Sequence, residues 1–442
     1  TRSISISHRS TRGSRRMLDK LVGRYVRHLN QRLMNFSDST GPVSLPAPAP
    51  DKHYLLYLHV PFCVVLCPFC SFHRVEFQED KATQYFHALQ NEIRLVTEQG
   101  FRFGEVYIGG GTPTVMPDLL ADTVAFIKQL HPVDAVSVET NPHDLNDSGL
   151  SRLRASGVNR LSVGVQSFDD DLLAEMERLD KYGSGDQIAA DLKRVNGTFD
   201  TLNVDMIFNF PHQDQAILAS DLGRLTDELA VDQVSWYPLM TSATTSRRMS
   251  RSMGQVDYAR ERSYYQTIVA HMLAAGYQRS SAWCFSRQPG MFDEYIVEHE
   301  EYVGLGSGAF SYMDGGMFAN TFSINHYLAR VSNGESGIVR QRRMSALEQM
   351  RYYLLMRLFG GSLDLDVAEA RFGGRFERTI WRDLSGLRML GALQTTGRVL
   401  KLTEAGQYLW VVLMREFFSG VNTFRDDMRH HISAEARGPE FG

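Results

Sequence analysis

The chain has 442 residues, 43% of them hydrophobic and 22% charged, which is the composition of a globular protein with a large core. The formal net charge of −4 gives no electrostatic reason to expect a nucleic acid partner. No apolar run approaches the length that a membrane-spanning helix needs. Because three of the four cysteines are clustered, we expect a metal site rather than disulfides and a reducing, cytoplasmic location.

Residues 1–50 are expected to form an extension ahead of the main fold. Residues 1–16 contain five arginines and no acid, the composition of a transit peptide. The plainer interpretation, which we favour, is an upstream extension with Met17 as the natural start. Residues 17–36 have helical apolar spacing and predict a helix packed on the body of the protein, with contact to a membrane surface as the alternative. Four prolines within residues 41–50 predict an extended linker.

From residue 51 onward, short apolar runs alternate with helical stretches. The predicted strands are Tyr54–Val60, Glu105–Gly109, Ala135–Thr140, Arg160–Gln166, Thr201–Phe208 and Gln233–Leu239. The predicted helices between them are Ala82–Glu98, Asp118–Leu130, Ser184–Val195 and Gln215–Leu229. This alternation predicts an α/β fold with a parallel sheet, because parallel strands need crossover connections. In barrel-like folds of this kind the chemistry lies at the carboxyl ends of the strands.

The remaining sequence predicts two further units and a tail. Residues 246–342 are expected to be a helical and loop extension, with Asp257–Gly276 as its clearest helix. Residues 343–430 contain two predicted helices, Ser345–Phe359 and Phe376–Met389, then a hairpin-like run and a final helix. This order resembles a winged-helix domain, but a basic recognition helix for DNA is missing. Residues 431–442 are expected to be a tail, of which residues 438–442 are expected to be disordered or artificial.

One cysteine cluster follows the first predicted strand. Cys63, Cys67 and Cys70 have the spacing C-x3-C-x2-C, and thiolates on one loop can converge on an iron–sulfur cluster. Three ligands would leave one iron of a [4Fe-4S] cluster open for chemistry. The alternatives are a zinc site with His73 as the fourth ligand and a disulfide framework. The glycine-rich turn at residues 109–111 favours the cluster, because a motif is supported by its context.

This motif resembles the signature of the radical S-adenosylmethionine (SAM) enzymes. The wider string Y-x-H-x-P-F-C-x3-C-x-F-C, which begins at Tyr57, is similar to the subgroup of oxygen-independent coproporphyrinogen III oxidases, heme chaperones and class C radical SAM methyltransferases. The resemblance implies a partial (β/α)6 TIM-like barrel over residues 51–245 with the winged-helix-like domain as a cap. It also implies that Cys63, Cys67 and Cys70 hold a [4Fe-4S] cluster whose electron cleaves SAM to a 5′-deoxyadenosyl radical.

The resemblance extends to motifs that follow or end the later strands. In the family, the glycine triplet holds the SAM amino group, an acid contacts the ribose, a glutamine binds SAM and an arginine pairs with its carboxylate. The cofactor contacts that this implies here are Gly110, Gly111, Thr112, Glu139, Gln166, Arg178, Asp205, Gly306 and Ala309. For Arg178 an exposed helix arginine is the alternative, and Asn209 stands where the family has glycine. We expect Tyr57 to be a catalytic residue near the cluster, and His59 to be either a pocket group or a core histidine.

The reaction is harder to assign than the cofactor. Phe72 stands where the oxidases of the family have an additional cysteine, and residues 283–286 also depart from the pattern. Heme chaperones usually begin close to the cysteine motif, whereas this chain has a long extension. We therefore favour C-methylation of a planar aromatic substrate, a quinone or tetrapyrrole, with one or two SAM molecules and flavodoxin or ferredoxin as electron donor. The alternatives are oxidative decarboxylation of coproporphyrinogen III and heme binding without turnover.

Overall fold

The computed structural model of the protein describes residues 36–38, 43–289, 291 and 299–435. Apart from Phe36, the predicted helix over residues 17–36 lies outside the described residues, as do residues 1–16 and 436–442. Residues 43–49 have no regular secondary structure, as expected for a proline-rich linker. Among the helices within these ranges, none is both long enough and apolar enough to cross a membrane.

Six parallel strands form the centre of the fold, and all six were predicted. They are β1 (His53–Val60), β2 (Arg102–Gly110), β3 (Ala135–Thr140), β4 (Arg160–Gln166), β5 (Thr201–Phe208) and β6 (Gln233–Pro238). Each strand pairs in parallel with the next one along the chain. This topology confirms the α/β fold class. The strands are almost entirely buried, which is typical of a parallel sheet covered on both faces.

Helices follow every one of these strands. They are α1 (Glu79–Glu98), α2 (Pro117–Leu130), α3 (Asp147–Ser156), α4 (Asp170–Glu175), α5 (Leu179–Tyr182), α6 (Gly185–Val195), α7 (Gln215–Gly223), α8 (Ala243–Ser252) and α9 (Tyr258–Ala274). In α1 a stripe that includes Tyr85, Leu89, Ile93 and Val96 is buried, as helical spacing predicts. The predicted helix over residues 215–229 ends at Gly223 and continues as a π-helical turn. The unit is thus a (β/α)6 arrangement.

Residues 278–343 add strands on both sides of the six-stranded unit, where the sequence predicted mainly helix and loop. These strands are β7 (Gln278–Arg279), β8 (Cys284–Ser286), β9 (Tyr302–Leu305), β10 (Phe310–Met313), β11 (Gly316–Asn320) and β12 (Ile338–Arg343). β8 pairs antiparallel with β6, and β9 pairs in parallel with β1. Within residues 246–342 the predicted helical character holds for α9 and for the helix α10 (Ile324–Ser332), whereas these strands were not predicted.

A buried carboxylate holds the loop that follows β9. Glu92 of α1 accepts hydrogen bonds from the Gly306 amide at 2.9 Å, the Tyr327 hydroxyl at 2.8 Å and the Gly337 amide at 2.6 Å. Burial raises the pKa of Glu92, and these three donors counteract that shift. The residue therefore connects α1, α10, the loop after β9 and the loop before β12.

The C-terminal region contains a small sheet and a long final helix. Its elements are α11 (Ala346–Phe359), β13 (Ser362–Asp364), α12 (Leu365–Arg371), α13 (Phe376–Thr379), α14 (Trp381–Met389), β14 (Leu393–Thr396), β15 (Val399–Leu402) and α15 (Glu404–Glu435). β15 lies between β13 and β14. The helix α15 runs to Glu435, so the predicted start of a tail at residue 431 is wrong. The domain boundaries themselves stay a prediction.

The final helix returns to the six-stranded unit. The Asn422 side chain donates to the Met240 carbonyl at 3.2 Å, just past the end of β6. The Phe424 ring packs against Phe36 and Phe310, with centroid distances of 4.7 and 5.7 Å. One helix thereby contacts the linker side, the added strands and the end of the parallel sheet where the motifs lie.

Candidate active site

One cavity lies at the carboxyl ends of the parallel strands, and eleven of the thirteen predicted site residues line it. Its volume is about 250 Å³. The predicted residues in its wall are Tyr57, Cys63, Cys67, Cys70, Gly110, Gly111, Thr112, Glu139, Gln166, Arg178 and Asp205. The two others, Gly306 and Ala309, are not among its lining residues. The position agrees with the rule that sites in such folds form at the ends of the strands.

The three cysteines lie on a loop that returns to its own starting point. Phe62 and Cys63 pair with Val75 and Glu76 as two short parallel strands, which closes the loop. Within it, the Cys70 amide donates to the Cys67 carbonyl at 3.3 Å. All three thiols are free, with Cys63 and Cys67 buried and Cys70 half-buried. Burial raises the pKa of the Cys63 thiol to about 12, so a metal would have to displace its proton.

Two side chains donate hydrogen bonds towards the cysteine sulfurs. Thr112 Oγ1 lies 3.6 Å from Cys63 Sγ, and Arg178 Nη1 lies 3.6 Å from Cys67 Sγ. Hydrogen bonds to sulfur stabilise thiolate charge and tune the potential of iron–sulfur clusters. The donor set therefore fits a cluster held by these cysteines, which stays a prediction.

The geometry does not favour the zinc alternative. His73 is buried, and its Nε2 lies 3.1 Å from Ser307 Oγ, outside the wall of the cavity. In the part of the chain that the structure describes, no group of three or more His, Cys, Asp or Glu side chains is arranged to hold a single metal ion. A cluster spreads its ligands over several irons, so this result does not apply to it.

The glycine turn after β2 packs directly against the cysteine loop. The Gly111 amide donates to the Val60 carbonyl at 2.8 Å, and the Thr112 amide donates to the Phe62 carbonyl at 2.7 Å. A Cβ atom on Gly111 would lie 2.6 Å from the Phe62 carbonyl oxygen, so no side chain fits there. Gly110 has φ of 119°, a conformation that favours glycine. These glycines are required because two backbone segments approach each other here.

The Glu139 carboxylate is buried at the end of β3. It accepts hydrogen bonds from the Tyr107 hydroxyl and the Gly110 amide, both at 3.0 Å. Burial, together with the nearby Asp205 carboxylate, raises the pKa of Glu139 to about 6. Since it lines the cavity, Glu139 can accept further hydrogen bonds from a ligand hydroxyl, as the predicted ribose contact requires.

Arg178 is buried at the start of α5 and reaches across the cavity wall. Its Nη2 donates to the Gly164 carbonyl and, at 3.2 Å, to Asn141 Oδ1. Its guanidinium lies over the Tyr182 ring, 4.2 Å from the centroid. Among the described residues its Nε has no hydrogen-bond partner. A buried donor of this kind fits an anionic ligand such as a carboxylate, and an exposed helix arginine is excluded.

Gln166 ends β4, and Asp205 lies within the neighbouring strand β5. The β4–β5 register shifts between Gly164 and Gln166, and Gln166 has φ of 80°, which is unusual for a residue with a side chain. Asp205 accepts hydrogen bonds from Ser162 at 2.8 Å and from Asn203 at 2.7 Å. Both residues line the cavity, and their contacts with SAM stay predictions.

Tyr57 and His59 form a hydrogen-bonded pair at the edge of the cavity. His59 Nε2 lies 2.9 Å from the His73 carbonyl oxygen, which can only accept, so this nitrogen carries the proton. His59 Nδ1 therefore accepts from the Tyr57 hydroxyl at 2.9 Å. Burial lowers the pKa of His59 to about 3 and raises that of Tyr57, which keeps both neutral. His59 is a satisfied core histidine, the second of the two expectations.

Gly306 and Ala309 belong to the loop after β9 and have structural contacts. Gly306 donates to Glu92 and its carbonyl accepts from Asn320 at 2.9 Å. The Ala309 amide donates to the Gly306 carbonyl at 3.2 Å. The structure therefore does not bring these two residues to the cavity, and their predicted role as direct cofactor contacts is not supported by its geometry.

Several lining residues were missed by the sequence analysis. They come from the cysteine loop, from helices and loops after the strands and from the final helix, and they include Phe72, Arg74, Asn141, Tyr182, Tyr237, Phe418, Asn422 and Arg425. Arg74 follows Cys70 closely enough to have been considered. For Phe418, Asn422 and Arg425 no local signal exists, because their position depends on how α15 folds back.

Comparison with known proteins agrees with this geometry. Residues 57–217 match the model of the Radical SAM superfamily. The chain is 26% identical over 373 residues to the heme chaperone HemW of Bacillus subtilis. That alignment covers 80% of this chain and 96% of the chaperone. It is 27% identical over 395 residues to the oxygen-independent coproporphyrinogen III oxidase of Cereibacter sphaeroides. That alignment covers 82% of this chain and 86% of the oxidase.

A solved structure supports the fold. Coproporphyrinogen III oxidase (HemN) from Escherichia coli superposes with a TM-score of 0.70 at 23% identity, covering 83% of this chain and 90% of that one. At this level of identity the match shows the fold alone. The family implies a [4Fe-4S] cluster and SAM, whereas a second SAM stays a prediction. These relatives do not support the methyltransferase that the sequence analysis favoured, and they favour its alternatives.

Proposed function

We propose that this protein binds a [4Fe-4S] cluster through Cys63, Cys67 and Cys70, cleaves SAM reductively and oxidatively decarboxylates a tetrapyrrole of the coproporphyrinogen class. The electron that the substrate radical gives up as carbon dioxide leaves would pass to an external one-electron acceptor. The observation that carries the proposal is that three free thiols and four polar side chains line one cavity. The polar side chains come from separate strands and helices and are Glu139, Gln166, Arg178 and Asp205. When bound, the cluster would supply the electron that breaks the sulfonium. The similarity to coproporphyrinogen III oxidases supports the choice of substrate.

The residues of this chain would orient SAM and separate it from water. The glycine turn presents backbone groups to the amino end of the cofactor, and Arg178 offers a buried Nε to its carboxylate. Glu139, with Gly110 and Tyr107 already bound, has the remaining acceptor capacity for ribose hydroxyls. Holding the cofactor in one orientation is the main contribution that a protein makes to such chemistry.

Heme binding without turnover is the second candidate. Phe72 occupies the position of the additional cysteine of the oxidases, and its side chain is 46% exposed at the cavity. The alignment with the heme chaperone of Lactococcus lactis covers 93% of that protein at 27% identity. An exposed aromatic ring at the cavity suits the face of a macrocycle whether or not a reaction follows.

One anaerobic experiment separates these functions. The reconstituted protein is incubated with SAM, a strong reductant and coproporphyrinogen III, and 5′-deoxyadenosine and carbon dioxide are quantified. A variant with all three loop cysteines changed to alanine is the matched control. Both products in the wild type alone would support the proposal.

The other outcomes are equally informative. Stoichiometric heme binding without 5′-deoxyadenosine would favour the second candidate. S-adenosylhomocysteine together with a methylated product would return the assignment to a methyltransferase. If the wild type forms no iron–sulfur cluster, the proposed function is wrong.

A further inference from the structure

Arginines from three separate parts of the chain bind the backbone of the cysteine loop. Arg74 Nη2 donates to the carbonyls of Cys67 and Cys70, the latter at 2.9 Å. Arg429 of α15 donates to the Ser71 carbonyl at 3.2 Å, and Arg248 of α8 donates to the Pro68 carbonyl. The loop that carries the predicted ligands is therefore held by three cationic side chains in addition to its own backbone pairing.

Arg74 differs from the other two because it also lines the cavity. Its backbone is anchored, since the next residue, Val75, donates its amide to the Pro61 carbonyl at 2.7 Å. Among the described residues its Nε and Nη1 are buried and have no hydrogen-bond partner. By contrast, Arg248 is exposed and outside the cavity wall. Among the described arginines that bind the backbone of this loop, Arg74 alone brings a partly desolvated positive charge to two of the three cysteines, and the buried Arg178 adds a second positive charge at Cys67.

The cavity needs such a charge when it holds a cluster. Three thiolates would bring negative charge next to the carboxylates of Glu139 and Asp205, which line the same cavity. The reduction potential of an iron–sulfur cluster depends on net charge, hydrogen bonds and solvent exposure around it. A buried cation is weakly screened, so it stabilises the more negative, reduced state.

We propose that Arg74 is a positioning residue that fixes the cysteine loop and raises the reduction potential of the cluster bound there. This inference rests on the proposed function, because it requires that Cys63, Cys67 and Cys70 hold the cluster. It adds a residue of this chain that neither the cysteine motif nor the SAM-binding motifs contain.

The test is a redox titration monitored by electron paramagnetic resonance, without SAM, on the reconstituted wild type, Arg74→Gln, Arg74→Lys and Arg248→Gln. Iron per chain is measured in parallel. Arg74→Gln should shift the one-electron equilibrium at least tenfold towards the oxidised cluster, a potential about 59 mV lower. Arg74→Lys keeps the charge and should stay closer to the wild type. Arg248→Gln removes a contact to the same loop but only a solvent-screened charge, so it should shift the equilibrium much less than Arg74→Gln does.

An Arg74→Gln variant with wild-type iron content and potential would overturn the inference. If Arg74→Gln binds no iron, the potential of Arg74→Lys decides the question. A wild-type potential in Arg74→Lys would support the role of the charge. A tenfold shift of its one-electron equilibrium towards the oxidised cluster would reject that role. A wild-type protein without any iron–sulfur spectrum would instead reject the proposed function. The two failures are therefore distinguishable.

Discussion

Asn209 keeps a glycine-like backbone although it is not glycine. It follows β5 with φ of 66°, in the left-handed region that asparagine tolerates better than most residues. Its Oδ1 accepts a hydrogen bond from Arg260 Nε at 3.1 Å. The departure from the family's pattern therefore preserves the local backbone and adds a contact to α9.

We expect Asn209→Gly to cost about 1 kcal/mol of the free energy of unfolding, because only the hydrogen bond is lost. Asn209→Val should cost at least about 1 kcal/mol more, since a β-branched side chain is strained at positive φ. Urea denaturation of both variants measures the difference. Equal stability of the two would show that the backbone can rearrange at this position.

The two kinds of cysteine in this chain should respond differently to substitution. Cys67→Ala should abolish the iron–sulfur absorbance of the reconstituted protein, because it removes a predicted ligand. Cys284→Ala is the matched control: its sulfur is fully buried in the core, 3.8 Å from Ser235 Oγ and outside the cavity wall. A fully retained spectrum in Cys67→Ala would contradict the ligand assignment.

At the level of elements, Asp221 joins α7 to the end of β4. Its Oδ1 accepts from the Phe168 amide at 2.8 Å, and its Oδ2 accepts from the Ser167 hydroxyl at 2.9 Å. Burial raises the pKa of Asp221 from 3.8 to about 7, and the two hydrogen bonds counteract only part of this effect. The residue thus supports the segment that follows Gln166, at the cavity.

This pKa predicts a pH-dependent stability. The folded protein holds the Asp221 proton more tightly than the unfolded chain, so the contribution is complete below about pH 4 and is lost as the pH rises through about 7. The folded and unfolded pKa values of Asp221 are about 7 and 3.8. Since each pH unit between them corresponds to about 1.4 kcal/mol, the free energy of unfolding falls by roughly 4 kcal/mol over this range. Asp221→Asn should remove this dependence while keeping an acceptor for Phe168.

Urea denaturation across this pH range measures the effect, as the difference in unfolding free energy between the wild type and Asp221→Asn. The difference should move steadily in favour of the variant as the pH rises. Curves that stay parallel from about pH 4 to about pH 8 would contradict the assignment of the titration to this residue.

The elements that could be predicted from the sequence are those with a local signal. β1 to β6 are largely buried and therefore appear as short runs rich in apolar, β-branched and aromatic residues. The strands β9 to β11 are four or five residues long, with a glycine at position 304 inside β9 and glycines at 306 and 308 in the loop before β10. Short segments of this kind resemble loops, and only pairing with a distant strand makes them regular. Their position beside β1 could not be predicted from local pattern.

On the scale of the whole molecule, Phe424 links three parts of the chain. Its ring contacts Phe36, Phe310 and Phe322, the last at a centroid distance of 6.2 Å. We expect Phe424→Ala to lower the free energy of unfolding by about 3 to 5 kcal/mol, because it leaves a cavity among these rings. Phe424→Leu fills more of the space and should cost less. Thermal unfolding of both variants checks the order, and a cost below about 1 kcal/mol for alanine would refute it.

In the candidate site, as in the fold, only residues with a local sequence signal could be predicted. The cysteines, the glycine turn and the strand-end residues could be found because each motif is local in sequence. Arg425 and Asn422 reach the cavity only because α15 packs across the ends of the strands, and nothing in their own segment indicates this. Gly306 and Ala309 show the opposite case, since their motif is recognisable but the structure places it outside the cavity wall, and their contact with the cofactor stays a prediction.

The pairing of β1 also constrains the order of events during synthesis. One neighbour of β1 is β2, but the other is β9, which leaves the ribosome only when most of the chain has been made. The loop after β9 also provides Ser307, which binds His73 beside the cysteine loop. Until then, one edge of β1 has no partner strand, and unpaired edges invite association with other chains. We therefore expect nascent chains that end before β9 to aggregate and to retain no iron.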